Sequence, residues 1–141
     1  MTTKIFKKYS QISGKLTPIS LKKDIPIKTK RIFLIYGNTK YQRGDHAHKK
    51  CSQFFFPIQG KISISYLDKY GFKKKIISSK LNEGILIKPL TWCKLSFLTK
   101  NSIVQVFCDR EYEFNDYIEN FNDFLNIINC TKLNIYENFK K

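Results

Sequence analysis

The chain has 141 residues, 42% hydrophobic and 15% aromatic, which suits one domain with a buried core and argues against a disordered protein. Its formal net charge of +15 invites a nucleic-acid reading, but Arg31, Arg43 and Arg110 are its only arginines and the lysines are dispersed, Lys73-Lys74-Lys75 apart. Readers of bases and phosphates favour arginine forks, so no nucleic-acid partner is expected; a basic surface suits a small phosphate-bearing molecule instead. No apolar run reaches the roughly 18 residues of a membrane span, and Met1 to Lys8 has no apolar segment after it, so neither a membrane partner nor a secretory leader is expected. Cys51, Cys93, Cys108 and Cys130 are widely spaced without a CxxC pair, which suggests reduced thiols in a cytoplasmic protein.

Residues 1–29 read as irregular, punctuated by Gly14, Pro18 and Pro26, with one possible strand from Leu16 to Leu21. Arg31 to Tyr36 is a β-rich run closed by Gly37-Asn38 and reads as a buried strand and a turn. The polar stretch around His46 and His48 follows as a strand, then Gln53 to Ile58, where Pro57 demands an edge position or a kink. Ile62, Ile64 and Tyr66 alternate with Lys61, Ser63 and Ser65 in a half-buried strand. Asp68-Lys69-Tyr70-Gly71 predicts a hairpin turn, with Phe72 to Ser79 as the returning strand. Asn82-Glu83-Gly84 makes another turn before Ile85 to Pro89, and Trp92 to Leu98 and Ser102 to Cys108 complete the series. Short strands at this spacing mean an all-β sandwich or barrel, spanning about residues 5–110 of a single domain. The period then changes: Tyr117, Phe121, Phe124, Leu125 and Ile128 fall on one face of a helix over about 115–128, capped by Asn115 or Asp116. The polar, lysine-rich residues 130–141 read as a loose tail.

Arg43-Gly44-Asp45-His46-Ala47-His48 carries both histidines of the chain. Side chains alternate along a strand, so His46 and His48 face the same way, with Arg43 upstream and Gln53 downstream. An imidazole is a base near neutral pH without further help, and a cation such as Arg43 or Lys49 nearby keeps it unprotonated. The same pair also suggests a metal site. A catalytic metal generally wants three protein ligands.

Gly44-x-His46-x-His48-x4-Gln53-x6-Gly60 resembles the first motif of the cupins, with glutamine where metal-binding cupins usually place a glutamate. Resemblance to the metal-binding cupins would imply a carboxylate at position 53 and another histidine late in the barrel; with Gln53 there and only Cys93 beside Trp92, no metal and no cofactor are expected. More narrowly, Arg43-Gly44-x-His46-Ala47-His48-Lys49 resembles the nucleotide-sugar 3,4-ketoisomerases, supported by Lys30-Arg31, Gly84-x4-Pro89-x2-Trp92 and Tyr112-x3-Asp116-Tyr117-Ile118. The likeness spans about residues 5–128. It implies a cupin-type jelly-roll barrel with a C-terminal helix, a homodimer, and isomerisation of dTDP-4-keto-6-deoxyglucose to a 3-keto sugar through an enediol. In that reaction His48 would be the principal base and His46 the proton shuttle. Arg31, Arg43 and Lys49 would meet the diphosphate, and Gln53, Trp92 and Tyr36 would form the pocket wall or reach sugar hydroxyls. The chain departs from the family pattern at Ser13, at Phe33, where a tyrosine is common, and at Trp92-Cys93-Lys94, where a histidine follows the tryptophan. Those first two positions bear on whether the C4 hydroxyl ends gluco or galacto. Two other readings stand beside it: a non-catalytic cupin that binds a nucleotide sugar or carbohydrate, which needs the arginines and pocket but not both histidines, and a basic RNA-binding barrel, which needs aromatic side chains exposed on the basic face.

Overall fold

The structure is a computed structural model that describes residues 2–129. In chain order its elements are β1 (Thr2–Ile5), β2 (Tyr9–Gln11), β3 (Gly14–Leu16), the helical turn α1 (Leu21–Asp24), β4 (Arg31–Tyr36), β5 (Arg43–His48), β6 (Gln53–Gln59), β7 (Lys61–Asp68), β8 (Gly71–Ser78), β9 (Glu83–Ile87), β10 (Trp92–Phe97), β11 (Ile103–Cys108), β12 (Tyr117–Ile118) and α2 (Phe121–Ile127). Two five-stranded antiparallel sheets run in the orders β1-β9-β6-β11-β4 and β12-β5-β10-β7-β8, and β2-β3 is a separate hairpin. Strict alternation builds the space between the sheets. Phe55, Ile85, Val104 and Val106 point inward from the first, and Ile62, Ile64, Leu95 and Phe97 meet them from the second. Each fully buried side chain of this kind contributes roughly 1.5–3 kcal/mol. The arrangement is the expected all-β, cupin-type jelly roll with a C-terminal helix.

The N-terminal segment is more ordered than its punctuation predicts. β1 adds to the edge of the first sheet, with Thr3 opposite Ile85 and Ile5 opposite Glu83. Leu16 to Leu21 is not a strand; Leu16 ends a hairpin and Leu21 begins a helical turn. Phe6 and Ile25 bury the outward side of β6 and β11, packing on Phe54, Phe56 and Phe107. That cover is why β6 reads as a continuous apolar run: Phe55 faces the inner core and Phe54 and Phe56 the outer one. Pro57 sits where β9 no longer pairs with β6 and where the β6–β11 register shifts, so its missing N–H falls at a place where the ladders are already interrupted.

β4 is an edge strand and not a buried one, its residues alternating between half-buried and exposed. The hairpin at Asp68-Lys69-Tyr70-Gly71 forms as expected, with Asp68 opposite Gly71 and the Asp68 carboxylate accepting from the Tyr70 N–H at 2.8 Å.

The C-terminal helix begins later than the apolar spacing predicts. Tyr117 and Ile118 are a strand paired with His48 and Ala47, and Asn120 caps the helix, its side-chain oxygen accepting from the Asp123 N–H at 2.9 Å. α2 buries Phe124 against Ala47, Leu67, Trp92 and Ile118. This second core lies behind the histidine strand: Ala47 points into it, and His46 and His48 point the other way. The expected polar tail 130–141 and Cys130 lie outside the described residues. Among the described residues no helix is long and apolar enough to cross a membrane.

Candidate active site

A cavity of about 420 Å³ opens between the two sheets, within the usual range for small-molecule sites. Its lining includes Phe33, Tyr36, Arg43, His46, His48, Cys51, Gln53, Cys93 and Tyr117. Burial puts both histidines in a drier setting than sequence alone reveals. His48 is buried and His46 half-buried, and their rings meet edge to face with centroids 5.1 Å apart.

The partners of the two rings fix their tautomers. His48 Nδ1 lies 3.1 Å from an Asp116 carboxylate oxygen, and His46 Nδ1 lies 3.1 Å from the Gly44 carbonyl oxygen. Both acceptors lack a proton to give, so each Nδ1 carries the hydrogen and each Nε2 keeps its lone pair. The Nε2 of His48 is buried without a hydrogen-bond partner among the described residues. Burial lowers the pKa of both rings from 6.5; at His48 the neighbouring His46 adds to this and the Asp116 contact opposes it. Both imidazoles are therefore neutral bases at pH 7.

Asp116 holds His48 from behind. Its carboxylate also accepts from the Lys50 N–H at 2.8 Å and the Cys51 N–H at 3.2 Å. Burial raises its pKa, but these backbone bonds and His48 outweigh that and keep it below the usual carboxylate range. Tyr117 completes the group, its ring 4.4 Å from His48 and 4.9 Å from His46 by centroid. Burial raises its phenol pKa, against the pull of the Arg31 guanidinium that hydrogen-bonds it. Sequence reasoning gave neither residue a role in the site. The helical spacing absorbed Tyr117, and Asp116 stood as a helix cap, because the partner that reveals it is 68 residues away.

The expected binding residues divide. Arg43, Gln53 and Tyr36 line the cavity; Arg43 and Tyr36 are exposed and Gln53 is buried with its amide donating to Cys108 Sγ at 3.7 Å. Arg31 does not line it. Its guanidinium donates to Cys108 Sγ at 3.6 Å and stacks over Phe33 and Tyr112 at 5.3 and 5.6 Å. Lys49 is exposed and outside the lining, in the bend just past the end of β5. Trp92 is not a pocket wall: it is 2% exposed and packs its ring on Phe121 and Phe124 behind the sheet. Of the positions that depart from the family pattern, Phe33 and Cys93 line the cavity and Ser13 sits in the turn of the β2–β3 hairpin.

His48, Cys51 and Asp116 bring potential metal-ligating atoms within 4.8 Å of one another. Their bonding does not fit a metal. The Asp116 oxygens already accept three N–H groups, and the Cys51 thiol donates to the Ser52 carbonyl at 3.4 Å. Contact with Cys108 and burial push that thiol far up, so it is protonated beside Asp116.

Comparison with known proteins agrees with this geometry. Residues 1–129 match the family model described as "FdtA: WxcM-like, C-terminal". A TDP-4-oxo-6-deoxy-α-D-glucose-3,4-oxoisomerase of Aneurinibacillus thermoaerophilus is 29% identical over 131 residues, 92% of each chain. The QdtA sugar 3,4-ketoisomerase of Thermoanaerobacterium thermosaccharolyticum, solved in complex with TDP, superposes with a TM-score of 0.84 at 28% identity, covering 94% of this chain and 96% of that one. A 3,4-ketoisomerase from Helicobacter canadensis gives 0.83 at 27% identity over 91% and 96%. The QdtA enzyme has also been solved as a histidine-to-asparagine mutant holding TDP-4-keto-6-deoxyglucose. By sequence and by structure, this chain belongs to the FdtA/WxcM-like family.

Proposed function

We propose that this protein is a sugar 3,4-ketoisomerase that converts dTDP-4-keto-6-deoxyglucose to the 3-keto isomer by histidine acid–base chemistry. One observation carries the assignment of residues: His48 Nε2 is a buried, unpartnered lone pair in a cavity wall, with its ring oriented by Asp116. That atom removes the proton from C3, which is acidified by the adjacent C4 ketone. The electron pair moves into the C3–C4 bond and charge develops on the C4 oxygen, giving an enediolate. A proton is then delivered to C4 as the C3 hydroxyl gives up its own and becomes the ketone, so the sum is an isomerisation with no external reductant. His46, whose ring meets that of His48, relays protons between the oxygens, and the Tyr117 hydroxyl donates to the oxygen that gains charge. Acid–base assistance of this kind is worth typically ~10²–10⁴-fold. Arg43 is the cation placed to meet the diphosphate, and Gln53 and Tyr36 offer polar groups to the rest of the ligand.

The protein acts as a homodimer in the cytoplasm. The free, buried Cys51, Cys93 and Cys108 support a reducing compartment. The exposed apolar side of the edge strand β4, with Ile32 47% and Leu34 46% accessible, supports pairing of two copies; light scattering of the purified protein reads the oligomeric state directly.

The test of the activity is an NMR time course with dTDP-4-keto-6-deoxyglucose in deuterated buffer. Isomerisation produces the 3-keto sugar and carries deuterium onto C3 or C4. Binding of the nucleotide sugar with neither change makes the chain a carbohydrate-binding cupin and ends the isomerase assignment.

A further inference from the structure

In a regular strand residues 43 and 46, three apart, point to opposite faces. Yet Arg43, His46 and His48 all line the one cavity. The phase change lies between them. Across the β5–β10 ladder Cys93 pairs with His46 while the next residue, Lys94, pairs with Gly44, so Asp45 is an extra residue in a bulge. Gly44 and Asp45 take φ of 85° and 64°, both left-handed. Gly44 has no alternative, because a Cβ there would lie 2.8 Å from the Cys93 carbonyl oxygen. Asp45 is a residue with a side chain in a conformation that such residues seldom adopt, and it needs something to hold it. Its carboxylate accepts from the indole N–H of buried Trp92 at 2.9 Å and lies 3.5 Å from Lys94 Nζ. Its side chain is otherwise 64% exposed, so packing does not fix it.

We propose that Asp45 is a positioning residue: by clamping the bulge to Trp92 it sets the phase that lets Arg43 share the cavity with His46 and His48. This rests on the isomerase reading above for its kinetic consequence, and on the bulge alone for its structural one. Asp45 lies outside the cavity lining and acts through the backbone on either side of it. Without the clamp the segment relaxes toward regular pairing. Either the guanidinium or the imidazoles then leave the cavity, and the tautomer-setting contact from His46 Nδ1 to the Gly44 carbonyl goes with them.

Three proteins test it: wild type, Asp45→Asn and Asp45→Gly. Asparagine keeps an oxygen for the Trp92 N–H and tolerates positive φ; glycine adopts positive φ freely but removes the clamp. The expected result is Asp45→Asn close to wild type in kcat and KM. Asp45→Gly should melt near the wild-type temperature, with KM raised and kcat lowered by about 10²-fold, the order expected for a displacement of about 1 Å. An Asp45→Gly enzyme with wild-type kcat and KM overturns the proposal. So does an Asp45→Asn enzyme as impaired as the glycine variant, since the charge and not the clamp would then matter. A wild-type chain inert toward the ketosugar defeats the isomerase reading and not this one, because imidazole NMR reads the bulge directly. The His46 ring signals should move in Asp45→Gly and stay in place in Asp45→Asn; no movement in either overturns the proposal.

Discussion

Replacing Asp116 with asparagine removes one charge and almost no volume, so it isolates what the carboxylate does for His48. The carboxylate accepts three N–H groups, from His48 Nδ1, Lys50 and Cys51. An amide has one accepting oxygen and one donating nitrogen. If the nitrogen turns toward His48, the ring must offer Nδ1 as an acceptor and move its proton to Nε2, the atom that has to take the C3 proton. If the oxygen turns that way, the amide hydrogens confront the Lys50 N–H instead. Either arrangement removes much of the acid–base contribution, so kcat should fall by roughly 10²–10⁴-fold, equivalent to about 3–5 kcal/mol of barrier. Stability should also fall, since a hydrogen bond to a charged group is worth about 1.5–3 kcal/mol, but asparagine still satisfies one backbone donor. The assay is turnover of the ketosugar together with solvent exchange at C3, and a thermal melt to confirm folding. A folded Asp116→Asn protein with wild-type kcat and C3 exchange refutes the orienting role.

Four further outcomes follow from the same geometry. His48→Asn should abolish turnover and C3 exchange while TDP binding, measured calorimetrically, stays close to wild type. Burial holds both imidazoles below 6.5, and the neutral ring is the active form, so kcat/KM should stay level as pH falls to that value and decline only beneath it; a decline centred above 6.5 contradicts the assignment. Arg43→Ala should raise KM by about tenfold or more, the loss of one charge-assisted contact to phosphate, and restoring charge with lysine should recover part of it. Chelator treatment should leave activity unchanged; loss that a divalent ion restores would show that the His48–Cys51–Asp116 group holds a metal after all.

The strands were legible because each face meets a different environment, and alternation records that difference. Ile62, Ile64 and Tyr66 declare their face in this way. The histidine strand was legible for the same reason, with Ala47 between two imidazoles and turned into the rear core. The failures have specific causes. The spacing from Tyr117 to Phe121 fits a helix, but Tyr117 and Ile118 are claimed by ladder bonds to β5, and tertiary pairing overrides local period there. Trp92 stands next to a cavity residue, Cys93, and its burial in the rear core comes from strand alternation that the motif likeness obscured. The bulge did leave a trace, a glycine inside a strand, which signals close backbone approach or an extra residue. Asp116 left only its place in Tyr112-x3-Asp116-Tyr117-Ile118, because nothing local marks a carboxylate whose donors stand at His48, Lys50 and Cys51, far back in the chain.

These features share one dependence. For both histidines the leading cause of the lowered pKa is burial, ahead of any single charge, so the neutral state of the two rings comes from the fold more than from its neighbours. The wall that buries His48 includes β12, with the Tyr117 ring against it, and β12 is brought to β5 by a segment anchored through Ile118 and Phe124. Asp116 precedes β12 on that same segment, and Trp92, which clamps Asp45, packs on the same helix. The C-terminal segment thus shields His48, supplies its orienting carboxylate and supports the bulge ahead of His46. A destabilising change at Phe124, which touches no cavity residue directly in that core, should therefore reach the chemistry through all three contacts together, and more steeply than an equal loss of stability in the outer core around Phe6 and Phe56.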